Sequence, residues 1–123
     1  MRTTDTSSER EQLEKERDVV LEDIRHMQEW LQGEVDVDAE EGDPDLAERD
    51  KTQALLIAME RKLESINAAL RAIEKGLYGI CERCGNQIDP ARLEVRPDAT
   101  LCLDCQREVE RLARRSALRQ QDY

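Results

Sequence analysis

Phenylalanine is absent from these 123 residues, and Trp30, Tyr78 and Tyr123 are the only aromatic side chains. Hydrophobic residues make up 38% of the chain and charged ones 39%, too little apolar volume to fill a wide globular interior. What fits is an elongated helical protein with a narrow apolar seam, or a disordered chain, and periodicity decides between them. The scarcity of aromatics speaks against a surface that stacks nucleic-acid bases. No apolar run approaches the roughly 18 residues needed to cross a bilayer. The stretch from Met1 to Glu11 also lacks the apolar core of a secretory signal. These absences predict a cytoplasmic chain with no membrane contact.

Acid is in excess. The net charge is −10, and residues 1–80 carry 11 Lys/Arg against 21 Asp/Glu, whereas residues 81–123 carry 8 of each. A surface of that sign repels phosphate backbones, so general nucleic-acid affinity is not expected of the hairpin these residues form.

The apolar residues have a helical period. Ser8 and Glu11 have the spacing of a capping box that opens a helix. Leu13, Val20, Ile24, Met27 and Leu31 then recur at seven, four, three and four, on one stripe of the cylinder. Gly33 supplies a stop. From Glu34 to Asp43 the chain is acidic and lacks the pattern. Asp43 then caps a second helix that begins at Pro44, where a missing amide costs nothing, with Asp45 and Glu48 near the positive end of its dipole. Leu56, Met59, Leu63, Ile66, Leu70, Ile73 and Leu77 alternate by three and four within it. Two such helices joined by about ten residues bury their stripes on each other most simply as an antiparallel hairpin. A first helix of about 25 residues gives a rod of about 37 Å, and the second is longer.

The four cysteines lie in two C-x-x-C pairs, Cys81/Cys84 and Cys102/Cys105, with 17 residues between them, the spacing of a four-thiolate zinc site. Two intervening residues let one tight turn aim both sulfurs at a common point, and Gly85 permits the left-handed backbone that such a knuckle needs. The second pair runs into a helical pattern, so Cys105 falls in a first turn whose dipole favours a thiolate. Asp89 to Leu93 reads as a capped short turn and Arg96-Pro97-Asp98 as another. A dithiol redox site would need a βαβ context, and none is visible. A catalytic zinc usually needs histidine. The only one, His26, lies 55 positions before Cys81 and inside the first helix, so it is expected to be solvated or at the edge of the seam. One structural zinc ion held by Cys81, Cys84, Cys102 and Cys105 is therefore expected.

Tyr78-Gly79-Ile80-Cys81-Glu82-Arg83-Cys84-Gly85, Ile88, Arg92-Leu93-Glu94, Arg96-Pro97 and Leu101-Cys102-Leu103-Asp104-Cys105 together resemble the DksA/TraR family of bacterial transcription regulators. The resemblance is dense from about Leu77 to Glu108 and architectural from about Ser8 to Gly76. It implies a protein that binds RNA polymerase directly, without sequence-specific DNA binding, and slides its coiled coil into the secondary channel to modulate initiation. The family's tip carries a D-x-x-D-x-A pattern that acts on the catalytic centre. Here Asp45-Leu46-Ala47 matches its second half, Gly42 stands three places before Asp45, and Asp43 is the nearest upstream acid. Helix capping accounts for both acids equally well. Members that respond to guanosine tetraphosphate carry basic residues at three places, of which Arg96 is matched and Ser65 and Gln106 are not. Arg107, Arg111, Arg114, Arg115 and Arg119 form either a solvated face or a docking surface for an acidic partner.

The resulting expectation is a mainly α chain: a long antiparallel coiled-coil hairpin, a small four-cysteine zinc finger and a C-terminal helix. The divisions are a flexible N-terminus (1–7), the hairpin (8–77) with its acidic tip loop (33–44), the zinc finger (78–106), and the C-terminal helix and tail (107–123). The chain is read as a monomeric, non-enzymatic regulator of RNA polymerase with Asp43, Asp45 and Ala47 at its tip and Arg96 as a nucleotide or polymerase contact. Transcript cleavage would need Asp43 and Asp45 to share a magnesium ion, and nothing fixes them on one face. A zinc-dependent nucleic-acid-binding module and an oligomerising coiled-coil adaptor are the alternatives.

Overall fold

The computed structural model describes residues 6–33 and 44–121. They form four helices: α1 (Ser7–Gln32), α2 (Pro44–Glu74), α3 (Pro90–Val95) and α4 (Leu103–Gln121). The one β pairing among the described residues is an isolated antiparallel bridge between Ile80 and Gln87.

α1 and α2 run antiparallel. Near one end Arg49 of α2 donates a hydrogen bond to the Leu31 carbonyl at 2.8 Å, and farther along Lys62 lies 3.9 Å from Glu16. Leu13, Val20 and Ile24 of α1 share a buried core with Ile66, Ala69 and Ile73 of α2, flanked by Leu56, Met59, Leu63 and Leu70. Leu13 and Ile66 are both 0% exposed, and full burial of each such side chain contributes about 1.5–3 kcal/mol. The periodic stripe is thus the seam of the hairpin, with Met27 and Leu31 half-buried along it. Ala69 belongs to the core although the spacing rule, read on large side chains, passes over it.

Several expected boundaries shift. The Arg10 amide donates to the Thr6 carbonyl at 2.8 Å, which starts the helical ladder ahead of Ser8. Thr6 is therefore the N-cap of α1, with no side-chain cap bond, and the Ser8/Glu11 box lies inside the helix. Ser7 likewise opens α1 instead of closing a flexible segment, while residues 1–5 lie outside the described residues. Gly33 ends α1 as expected, but with φ −56° and not in the left-handed region.

Leu77 departs furthest. α2 stops at Glu74 because Gly76 takes φ +72°, its amide bonds to the Ile73 carbonyl at 3.1 Å, and the Leu77 amide reaches the Ala72 carbonyl at 2.8 Å. Paired bonds of this kind around a left-handed glycine terminate a helix. Leu77 is turned off the seam and is 53% exposed. α4 begins at Leu103, four residues before the expected boundary, so the second cysteine pair enters it directly.

Candidate metal centre

The sulfur atoms of Cys81, Cys84, Cys102 and Cys105 all lie within 4.8 Å of one another. A zinc ion with bonds of about 2.3 Å to four thiolates sets tetrahedral edges of about 3.8 Å. Cys84 and Cys102 meet that spacing, with their Sγ atoms 3.8 Å apart. None of the four is in a disulfide.

Each pair is folded by its own turn. In the first, the Gly85 amide donates to the Cys81 carbonyl at 3.0 Å, the Cys84 amide points at Cys81 Sγ at 3.5 Å, and Gly85 adopts φ +79°. In the second, the Cys105 amide faces Cys102 Sγ at 3.4 Å, and the Gln106 amide closes on the Cys102 carbonyl at 2.9 Å. The second knuckle needs no glycine because the chain continues as the first turn of α4. The Cys81 amide on the Asn86 carbonyl at 2.8 Å closes the first knuckle, and the Glu82 amide on the Thr100 carbonyl at 2.9 Å ties it to the segment that carries the second. Between them α3 is capped by Asp89, whose Oδ1 accepts from the Ala91 amide at 3.0 Å, as the sequence suggests.

The thiols differ in their electrostatics. Burial opposes ionisation of Cys81, yet the backbone amides of Cys102, Cys84 and Arg83 outweigh it and lower the thiol to about 6. Burial, reinforced by the Cys102 sulfur, pushes Cys105 up to about 12. Cys105 stands in the first turn of α4, as the sequence suggests. Four thiolates share this volume only when a cation offsets their charge. With sulfur-only donors, one edge at the tetrahedral spacing and all four sulfurs within 4.8 Å of one another, the residues fit zinc.

A small core of Cys81, Ile88 and Cys105, flanked by Leu93, Leu101 and Cys102, supports the site. Beside it the Arg96–Ala99 turn carries Asp98, 1% exposed. Its Oδ1 lies 3.2 Å from Lys62 Nζ on α2 and its Oδ2 3.8 Å from Arg96 Nη2. Tyr78 donates its hydroxyl to the Pro97 carbonyl at 2.8 Å. In the sequence Asp98 reads only as a turn residue, and no local signal marks it as buried.

The signature of the prokaryotic dksA/traR C4-type zinc finger matches residues 76–111. The RNA polymerase-binding transcription factor DksA of Caulobacter vibrioides is 38% identical over 100 residues, covering 80% of this chain and 70% of that protein. The chain belongs to the DksA/TraR family. An uncharacterized protein of Aquifex aeolicus is 53% identical over 49 residues, covering 40% of this chain and 34% of that one. The solved structure of transcription factor DksA2 from Pseudomonas aeruginosa matches with a TM-score of 0.69 at 27% identity, over 89% of this chain and 85% of its own.

In this DksA/TraR-family chain the four cysteines hold one structural zinc ion. The other expected site residues are not gathered there. Asp43 lies outside the described residues, as does the side chain of Asp45, whose backbone is in the first turn of α2. Ala47 is exposed in that same region. Arg96 is exposed on the turn beside Asp98, Ser65 is half-buried on α2, and Gln106 donates to Glu110 at 2.9 Å. His26 stands on the exposed face of α1, 3.3 Å from Glu22. No helix among the described residues is long and apolar enough to cross a membrane.

Proposed function

We propose that this chain regulates transcription by binding RNA polymerase directly, with the hairpin entering the secondary channel and the zinc module and α4 remaining at its rim. The carrying observation is the separation of the two ends of α2. Its 31 residues span about 46 Å, with Asp45 and Ala47 in its first turn and the zinc module beyond its last. A slender rod of that length fits a deep pore, and the name of the Caulobacter relative supports polymerase as the partner.

The role assigned to the tip is to act on the polymerase active centre, with Asp45 and Ala47 as the matched part of the motif and Asp43 in place of its first acid. Arg96 is assigned to contact polymerase or guanosine tetraphosphate. The exposed arginines of α4 (Arg107, Arg111, Arg114, Arg115 and Arg119) suit an acidic rim. The protein acts in the cytoplasm as a monomer and carries out no chemistry of its own.

Transcription by purified polymerase, titrated with wild type and Asp45→Asn in the presence and absence of guanosine tetraphosphate, tests this reading. Wild type is expected to change initiation, and the variant to bind with similar affinity while losing the effect. If neither protein associates with core polymerase, the reading fails.

A further inference from the structure

The hairpin core and the zinc-module core are separate clusters. Among the described residues, neither α3 nor α4 lies alongside α1 or α2. Among the described residues, a hydrogen bond and an ion pair cross the junction. Tyr78 packs against the hairpin core and bonds to Pro97, and Lys62 on α2 pairs with Asp98 of the module at 3.2 Å. Next to them a cleft of about 430 Å³ opens between Glu9 and Gln12 of α1 and Leu93, Glu94 and Pro97 of the module. Close packing does not fill this joint, so apolar contact alone leaves the module room to turn.

The ion pair has the directionality that apolar contact lacks. Asp98 is 1% exposed and neither carboxylate oxygen accepts a hydrogen bond, so its charge is met chiefly by the Lys62 ammonium, with Arg96 more distant at 3.8 Å. Turning the module away from α2 would part the carboxylate from its cation and forfeit an ion pair that the water-poor junction strengthens. Glu16 of α1, 3.9 Å from the same ammonium, brings both hairpin helices into the cluster.

We propose that Lys62 and Asp98 are positioning residues whose buried ion pair fixes the angle at which the zinc module carries the hairpin, and thereby how the tip is presented to polymerase. The second half rests on the proposed function, whereas the first is a property of the free chain.

Residual dipolar couplings of the zinc-loaded full chain test it. In wild type and Lys62→Arg, amides of the hairpin and of the module are expected to fit one alignment tensor. In Lys62→Met and Asp98→Asn the module should need its own tensor of smaller magnitude, with one zinc per chain retained. If Asp98→Asn fails to fold, the double variant Lys62→Met/Asp98→Asn, which leaves neither partner charged, carries the same comparison. If the competent orientation falls to one molecule in ten, the half-saturating concentration in transcription rises about tenfold at unchanged maximal effect. A single tensor with the wild-type angle in Lys62→Met and in the asparagine variant overturns the proposal. Two tensors with unchanged half-saturation overturn its functional half. Wild type without effect on polymerase overturns the proposed function and leaves the couplings to decide the pin.

Discussion

Arg49 lies over the indole of Trp30, 5.5 Å from its guanidinium carbon to the ring centroid, while the same guanidinium donates to the carbonyls of Leu31 at 2.8 Å and Gly33 at 3.1 Å. The last carbonyls of a helix have no partner within it, and α1 has no basic residue in its own last turn. A side chain from α2 supplies what α1 lacks, and its charge also suits the negative end of the dipole. Arg49→Ala is expected to cost about 1–2 kcal/mol in urea unfolding and to speed amide exchange from Trp30 to Gly33. Arg49→Lys should recover only part, because an ammonium lacks the planar fork that reaches both carbonyls. Unchanged exchange in the alanine variant would contradict the clasp.

The seam makes a sharper contrast. Leu13→Ala or Ile66→Ala removes a side chain that is 0% exposed and should cost about 2–5 kcal/mol. Leu77→Ala, at 53% exposure, should cost about 0.5 kcal/mol or less. Urea midpoints at equal m-value measure both. A large loss at Leu77 would mean that it belongs to the seam after all.

Leu77 also marks where the sequence stops being legible. A heptad stripe reports which residues share a helical face, and in α1 and α2 it finds the large buried residues while passing over Ala69. It does not report where the backbone leaves the helix, and the stripe runs through Gly76 although the conformation of Gly76 ends it. Cysteine spacing specifies a metal site directly, since two knuckles must bring four sulfurs to one point. Arg49 and Asp98 were hidden for a different reason. Their partners lie 18 and 36 positions away, and a charged residue on a helix face or in a turn looks the same in sequence whether it meets water or a distant carbonyl or ammonium.

Tyr78 gives the expected pH dependence. Burial first, then the negative charges of Glu9, Asp98 and Glu16, raise its hydroxyl to about 12, against about 10 in an unfolded chain. The folded state holds this proton longer, so the contribution to stability is complete below pH 10 and is lost as pH rises toward 12. Tyr78→Phe should remove that alkaline loss and, by deleting the bond to Pro97, lower stability at neutral pH by about 1 kcal/mol. Tyrosinate absorbance and urea unfolding at pH 8 and 11 report the two effects. A wild-type curve as flat as that of the phenylalanine variant would contradict the assignment.

Zinc removal should divide the molecule along its two cores. The module's core is built from metal ligands and few other side chains, so the metal supplies much of its folding free energy. Chelation, or Cys84→Ser, is expected to abolish amide-exchange protection around Cys81, Ile88 and Cys105. Most far-UV helical signal, carried by α1 and α2, should survive. Loss of the whole helical signal at the point of metal release would show that the hairpin cannot stand without the module.

A zinc-stapled hairpin that docks on RNA polymerase should travel with it, which sedimentation of the purified chain with core polymerase measures. The zinc-loaded chain, monomeric alone, should co-sediment saturably at one copy per polymerase, and the zinc-stripped chain should not. A zinc-loaded, folded chain that remains at its free sedimentation rate throughout the titration would show that it does not dock on polymerase.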